Sequence, residues 1–211
     1  MEIRKPYCIL TLTLLPLANM FAAPVTEALR NEKVAVIEQT LPPGETMTLP
    51  ADHPNAVVYL DNGAIETTVS TAKPRTSTVK RGETDFEEAG VAIKNTGAAS
   101  LRIVRTEFLG KDGSETWGTA GLAPDYSLFF ENRYARAYNI KIAAGKTESL
   151  HTHKDRIVIC LSGAELEHEM PDGRRETATL KTGEIAWRRG VTHIGHNIGN
   201  TDLWAIAIEP K

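Results

Sequence analysis

The sequence predicts an all-β protein made of two tandem antiparallel barrels. From Val34 onward, short apolar runs are separated by Gly, Pro, Asn and Asp at the spacing of strands and tight turns. No long stretch of that part of the chain shows the apolar repeat of an amphipathic helix. The third observation is an internal repeat with a period of about 100 residues, which predicts two units of one plan.

The chain begins with a predicted export signal. Arg4 and Lys5 precede an apolar run over residues 8–17, and small residues follow that run. This order is typical of a secretory signal peptide, and the run is too short to span a bilayer comfortably. We expect cleavage after Ala22, which removes residues 1–22 and leaves a periplasmic or secreted protein; a retained anchor is the alternative. The polar residues 23–33 are expected to form a lead-in arm.

Composition disfavours several classes of partner. The chain is 41% hydrophobic and 24% charged, the profile of an ordinary soluble globular protein. Loss of Arg4, Lys5 and Glu2 from 24 basic and 27 acidic residues leaves a net charge of 22 − 26 = −4. That charge disfavours nucleic acid and anionic membranes as partners of the mature form. One cysteine, Cys160, would remain, so stability must come from the core rather than from an internal disulfide.

The repeat aligns the halves of the chain segment by segment. The matched segments, first copy against second, are residues 41–46 and 142–147, 57–64 and 157–164, 79–83 and 180–184, and 94–97 and 196–199. The closing strands, 101–108 and 203–208, also correspond. We therefore predict one barrel over residues 34–110 and a second over residues 118–211.

Two histidines of the second copy share one face of a predicted strand, and a third lies further along the chain. His151 and His153 are two apart in a strand-like run, so both imidazoles point to one face of the sheet. His193 follows in the segment Gly-Val-Thr-His. Two imidazoles on one face can chelate a divalent metal, for which histidine is the commonest protein ligand.

These segments resemble the two motifs of the cupin superfamily. The first motif reads Gly, five residues, His-x-His, a Glu shortly after, six residues, Gly; the second reads Gly, a short gap, Pro-x-Gly, two residues, His, three residues, Asn. The matching residues here are Gly145, His151, His153, Gly163, Gly183, Gly190, His193 and Asn197. The resemblance implies a bicupin of two jelly-roll barrels, the double-stranded β-helix fold. It also implies a mononuclear site for Fe, Mn, Ni, Cu or Zn at His151, His153 and His193.

Arg156 and Arg188 depart from the cupin motifs. Arg156 stands where the usual metal-binding Glu belongs, and Arg188 replaces the Pro of the second motif with one residue fewer before it. A guanidinium about 6 Å from a divalent ion, at an effective dielectric near 20, is repelled by roughly 5 kcal/mol. Arg156 therefore turns away to a carboxylate elsewhere, or shares the pocket with an anionic ligand, or the metal is absent. In the second case it anchors a carboxylate or phosphate of the substrate.

The first copy acts as a control for the second. It keeps the glycines and apolar runs but has Pro50 and Asp52 in place of His151 and His153, and about Ile93 in place of His193. The second barrel is thus the expected working half, and the first is expected to be structural.

Two further residues of the second copy have less certain roles in the sequence. Cys160 is expected to fill core space, with fourth ligand or reactive thiol as the alternatives. His168, in a Glu-rich strand, is expected to face solvent.

The sequence therefore predicts a secreted or periplasmic metal-binding cupin that acts on a small anionic molecule. Its three-histidine ligand set resembles that of the thiol dioxygenases, which favours a mononuclear metal-dependent oxygenase. The alternative is a non-catalytic cupin that binds a small organic anion or sugar without metal, since the fold alone selects no activity. Because cupins often pair through barrel edges, a homodimer is a further expectation.

Overall fold

The computed structural model describes residues 25–69, 72–110 and 113–211, and within them the chain forms eighteen strands and no helix. The predicted signal peptide, residues 1–22, lies outside the described residues. The strands of the first half are β1 (Val25–Arg30), β2 (Val34–Leu41), β3 (Thr46–Thr48), β4 (Asn55–Tyr59), β5 (Gly63–Val69), β6 (Arg75–Val79), β7 (Thr84–Glu87), β8 (Val91–Asn95) and β9 (Leu101–Phe108). Those of the second half are β10 (Ser127–Glu131), β11 (Ala135–Ile142), β12 (His151–His153), β13 (Arg156–Ser162), β14 (Ala164–Glu169), β15 (Arg175–Leu180), β16 (Ile185–Arg188), β17 (Val191–Asn197) and β18 (Leu203–Pro210).

Each half contains one five-stranded and one four-stranded antiparallel sheet in the same order. The first half has β1-β2-β9-β4-β7 and β3-β8-β5-β6, and the second has β10-β11-β18-β13-β16 and β12-β17-β14-β15. Every strand of one half therefore has a counterpart in the other. The predicted fold class, all-β with two tandem jelly-roll barrels, is confirmed.

The segment expected to be a lead-in arm forms an edge strand. β1 pairs antiparallel with β2, with Val25 opposite Gln39 and Arg30 opposite Ala35. Leu29 packs against the core cluster of the five-stranded sheets. The edge of β2 thus supplies the backbone partners that make this polar segment a strand.

The core has three parts. One cluster lies between the two five-stranded sheets and draws on both halves, with Val36, Val58 and Val104 from the first and Ile157 and Ile206 from the second. The other two clusters lie inside the individual barrels. The two barrels thus share one buried apolar layer, which holds the five-stranded sheets together.

None of the described residues belongs to a helix that could span a membrane.

Strand pairing corrects the equivalences that the sequence repeat suggested. In the first half, Met47 opposes Ile93. Leu49 lies two residues further along, and its N–H donates to the Val91 carbonyl. In the second half, His151 opposes His193. The counterpart of His151 is therefore Leu49 rather than Pro50, and that of His193 is Val91 rather than Ile93. Asp52 lies beyond the paired part of β3.

An extra residue before His151 explains the misalignment. Thr147 opposes His196, whereas His151 opposes His193, so four steps along one strand face three along the other. Such a bulge shifts every later residue by one position and reverses which face its side chain occupies. The corresponding stretch of the first barrel, from Thr46 to Thr48 against β8, is regular.

Candidate metal centre

The paired strands β12 and β17 bring the three predicted histidines together. His151 and His153 lie on one face of β12, and the register sets His193 directly across from His151. One ligand nitrogen from each ring lies within 4.8 Å of the others, and each residue is only 3% exposed. Three imidazoles converge inside the second barrel.

Hydrogen bonds fix which nitrogen carries a proton in the rings of His151 and His153. His151 Nδ1 lies 2.8 Å from the Ser149 carbonyl oxygen, which can only accept, so this nitrogen donates. His153 Nδ1 lies 2.7 Å from the Tyr138 hydroxyl, which donates its own proton to Glu209 Oε1 at 2.8 Å. His153 Nδ1 must therefore also donate. Both Nε2 atoms are left as lone pairs, and they face each other at 3.0 Å.

Two lone pairs at that distance repel each other. The Tyr126 hydroxyl lies 3.4 Å from His151 Nε2, and a cation between the two rings would relieve the repulsion more fully. His193 adds to this need, because neither of its buried nitrogens has a hydrogen-bond partner among the described residues. Buried polar atoms in native proteins are normally paired. The donor set of three imidazoles with free nitrogens fits a transition metal.

Protonation is disfavoured as the source of that cation. Burial lowers the pKa of His151, His153 and His193, that of His193 to about 3, and the nearby Arg156 charge lowers all three further. The rings are therefore neutral at physiological pH. Neutral imidazole is the form that binds a metal.

A buried ion pair holds His153 in place. The Arg136 guanidinium donates to Glu209 Oε2 from Nε at 2.9 Å and also from Nη2, and Lys154 N–H donates to Oε1 at 2.9 Å. Arg136 is 1% exposed and Glu209 0%. Since Glu209 in turn accepts from Tyr138, this network sets the orientation of the His153 ring. No local sequence pattern reveals this network, because Arg136 and Glu209 meet only through the β11–β18 register.

Arg156 faces the same interior without a carboxylate partner. The residue is 7% exposed; its Nη1 donates to the Arg189 carbonyl at 3.1 Å, and its Nε is buried without a partner. None of the ion pairs among the described residues includes it, so it does not turn away to a carboxylate, the first of the three predicted arrangements. An unpaired buried guanidinium is costly, and a bound anion would offset that cost.

Glu148 is a site residue that the sequence analysis did not single out. Its side chain is 8% exposed, and Oε2 lies 3.9 Å from His151 Nε2. Burial raises its pKa to about 7, although Tyr126 and Arg156 act in the opposite direction. Strict alternation would put a residue three before His151 on the other face of the strand. The extra residue in this segment reverses that parity, and no sequence signal reveals it.

His168 was expected to face solvent, and that expectation is wrong. Its ring centroid lies 4.3 Å from that of His193, and burial lowers its pKa. It follows Ala164 and Leu166, both buried, on one face of β14. The period-two alternation of the strand contained this signal, which the flanking glutamates concealed.

Cys160 fills space in the apolar part of the barrel. It is 2% exposed, belongs to the second barrel's core cluster, and has a pKa that burial raises to about 11. A thiol with so high a pKa is protonated at neutral pH and is therefore a poor nucleophile.

A cavity of about 300 Å³ extends from the histidines into the barrel. His153, His168, His193, Glu148 and Arg156 line its polar end. Its floor is apolar, formed by Ile140, Ile142, Val158, Leu166, Leu203 and Ala205. The volume is at the lower end of the range for small-molecule sites.

No family model matches the sequence, and no curated protein matches it. Solved structures do match. A cupin 2 conserved barrel domain protein from Leptotrichia buccalis has a TM-score of 0.57 at 13% identity, over 90% of this chain and 89% of that one. A Bacillus subtilis oxalate decarboxylase, studied for its Mn(II) centres, has a TM-score of 0.60 at 12% identity, over 89% of this chain and 72% of that one. The same enzyme at pH 4.6 has a TM-score of 0.60 at 12% identity, over 84% of this chain and 68% of that one. By its fold the chain is a bicupin, two tandem cupin barrels of which the second carries a three-histidine cluster.

Proposed function

We propose that the protein is a metal-dependent cupin enzyme, a mononuclear oxygenase that acts on a small anionic molecule. His151, His153 and His193 would hold the metal, and Arg156 would anchor the anion. The observation that carries the proposal is the pair of unprotonated Nε2 atoms of His151 and His153, which face each other at 3.0 Å.

The residues of the second barrel divide the work between binding and orientation. The Arg156 guanidinium keeps Nε unpaired, which leaves it free to bind one oxygen of a carboxylate or phosphate. The Tyr138 hydroxyl holds the His153 ring with its Nε2 toward the site. The apolar floor excludes water and favours a substrate with a hydrocarbon part behind its charged group. A bound transition metal would supply Lewis acidity and, for Fe, Mn, Ni or Cu, a redox couple that can activate dioxygen.

Metal content tests the proposal. The purified mature protein, stripped with a chelator and dialysed against Fe(II), Mn(II), Ni(II), Cu(II) or Zn(II) in turn, is expected to retain about one equivalent of at least one of them. The His151→Ala/His153→Ala double variant should retain none. His53→Ala, which alters a histidine of the first barrel paired with Asp52, is the matched control and should retain as much as the unaltered protein. Failure of every metal to bind would contradict the proposal.

Arg156 allows the substrate class to be tested separately. Oxygen consumption by the metal-loaded protein, measured across a panel of small carboxylates, should show saturation with at least one of them. Arg156→Met should raise the KM for that compound by about 100-fold, the loss of a charge-assisted hydrogen-bond pair, and leave metal content unchanged. Arg174→Met removes an exposed guanidinium from the β14–β15 turn and serves as the control.

A non-catalytic binding protein is the second candidate, and the unpaired charge of Arg156 beside the imidazoles favours it. In that case the barrel holds the anion alone, with no metal to repel the guanidinium. Tight binding of a carboxylate to metal-free protein, with no oxygen consumption after metal loading, would select this candidate.

The proposal extends to location and assembly. We propose that the protein is exported and that residues 1–22 are removed, which mass spectrometry of the exported protein would show as a chain that begins at Ala23. We further propose a homodimer through the barrel edges, which light scattering of the purified protein would detect as twice the monomer mass.

A further inference from the structure

We propose that Glu148 supplies the metal-binding carboxylate of this site, in place of the glutamate that Arg156 displaces. The inference rests on the proposed metal site and adds a ligand to it. The donor set would then be three imidazoles and one carboxylate, which suits Mn(II) or Fe(II) better than imidazoles alone.

The position of Glu148 supports this role. Oε2 lies 3.9 Å from the unprotonated Nε2 of His151, while Oε1 is buried with no hydrogen-bond partner among the described residues. The side chain is 8% exposed, and no Lys or Arg among the described residues forms an ion pair with it. A buried carboxylate without a cation is unfavourable, and a metal held by the histidines would provide that cation.

Gly195 supplies a second, independent observation. A Cβ atom built at this position would lie 2.2 Å from Glu148 Oε2 and 3.3 Å from its Cδ. Gly195 has no positive φ, so its backbone conformation does not require glycine. A side chain at this position would therefore displace the Glu148 carboxylate from its place beside His151.

The first barrel has apolar residues at the positions that correspond to Glu148 and Gly195. The Glu148 N–H donates to the Gly195 carbonyl at 2.8 Å, and the corresponding residues of the first barrel are Met47 and Ile93, which oppose each other in the β3–β8 pair. Both are buried in the apolar core of that barrel. An apolar pair occurs where the histidines are replaced by Leu49 and Val91, and the acid with its glycine occurs where the histidines are present.

The assignment also explains why an arginine is tolerated so near the metal. A carboxylate at Glu148 offsets one unit of the positive charge that the metal and Arg156 bring together. Because Glu148 would then supply the carboxylate ligand, Arg156 can occupy the usual glutamate position and bind the substrate anion.

Co(II) binding to the metal-free full-length mature protein tests the inference. The visible absorption of Co(II) reports the number and type of its ligands, so the readout does not depend on activity. Glu148→Gln should weaken Co(II) binding at least tenfold and alter the spectrum. Glu165→Gln, an exposed glutamate of β14, is the matched control and should change neither. Gly195→Ala keeps the carboxylate but displaces it, and should reproduce the spectrum of Glu148→Gln.

The outcomes separate this inference from the proposed function. Co(II) binding by the unaltered protein, with the same affinity and spectrum in Glu148→Gln, would overturn the assignment of Glu148 and leave the three-histidine site standing. No Co(II) binding by the unaltered protein would overturn both. Circular dichroism and thermal melting of the metal-free variants establish that each is folded, because removal of an uncompensated buried charge should not lower the melting temperature.

Discussion

The two barrels share strand order but fill their interiors in different ways. In the first barrel, Tyr59 opposes Ile103, and both are fully buried in an apolar cluster. At the corresponding register of the second barrel, Cys160 opposes Ala205. Two large side chains are replaced by two small ones, and the second barrel has the cavity of about 300 Å³. The same strand order therefore allows either a filled interior or a cavity. The volume of a few inward-facing side chains determines which of the two forms.

The polar ends of the barrels differ in charge as well as in volume. Asn55 opposes Glu87 in the first barrel, whereas Arg156 opposes Arg188 in the second. The first barrel has a carboxylate at this register. In the second, Arg188 pairs with Glu184 and Arg156 has no carboxylate partner among the described residues. This difference makes the second barrel the one suited to an anion.

Loss of the Arg136–Glu209 pair is expected to have the largest effect on stability. Glu209→Gln leaves the Arg136 guanidinium buried without its counter-ion, which typically costs about 3–5 kcal/mol. The corresponding residue of the first barrel, Glu107, pairs with Arg105, whose side chain is 16% exposed. Glu107→Gln is therefore expected to cost about 1 kcal/mol, since water can solvate the remaining charge. Urea unfolding of both variants measures the difference, and equal losses would show that the two pairs are equivalent.

A reciprocal exchange at Ile103 and Ala205 tests whether volume alone separates the barrels. Ile103→Ala removes a fully buried side chain and should lower the free energy of unfolding by about 2–4 kcal/mol, with no effect on metal content. Ala205→Ile places that volume on the floor of the cavity and should raise the KM for the anionic substrate about tenfold to 100-fold, again with the metal retained.

The opposite pattern would contradict this account. If Ala205→Ile lowered metal content and left the KM unchanged, the cavity floor would support the histidines rather than receive the substrate. Elemental analysis and steady-state kinetics on the same preparations distinguish the two.

The sequence predicted the fold and the meeting of the three histidines because both depend on regular patterns. A spacing of two puts His151 and His153 on one face of a strand, and the repeat of apolar runs predicts the doubled barrel. Glu148 was missed because one extra residue between Thr147 and His151 reverses the alternation. Only the hydrogen-bonded register of β12 and β17 locates that residue.

Two other parts of the site were missed for different reasons. The alternation of β14 places His168 on its buried face, but the glutamates on either side led to the wrong expectation that it faces solvent. The partnership of Arg136 with Glu209 joins positions far apart in sequence, and no local pattern links them. Local periodicity thus predicts which face a side chain occupies, and long-range register decides which partner it meets there.

Substitution of Glu87 has a smaller expected effect than that of Glu209 or Ile103, and it tests the charge difference between the two barrels. Burial and the neighbouring Asp85 raise its pKa to about 7, while Arg75 acts in the opposite direction. Its pKa in the unfolded chain is near 4.5, so between pH 4.5 and pH 7 the folded state binds more protons than the unfolded state. Stability therefore falls as pH rises through that window.

Glu87→Gln should raise the free energy of unfolding by about 1–2 kcal/mol at pH 8, after allowance for screening at this half-buried position, and by almost nothing at pH 4.5. Urea unfolding at the two pH values measures this, with the exposed Glu88→Gln as the control. An equal gain in the free energy of unfolding at both pH values would mean that Glu87→Gln acts through packing rather than through removal of a buried charge.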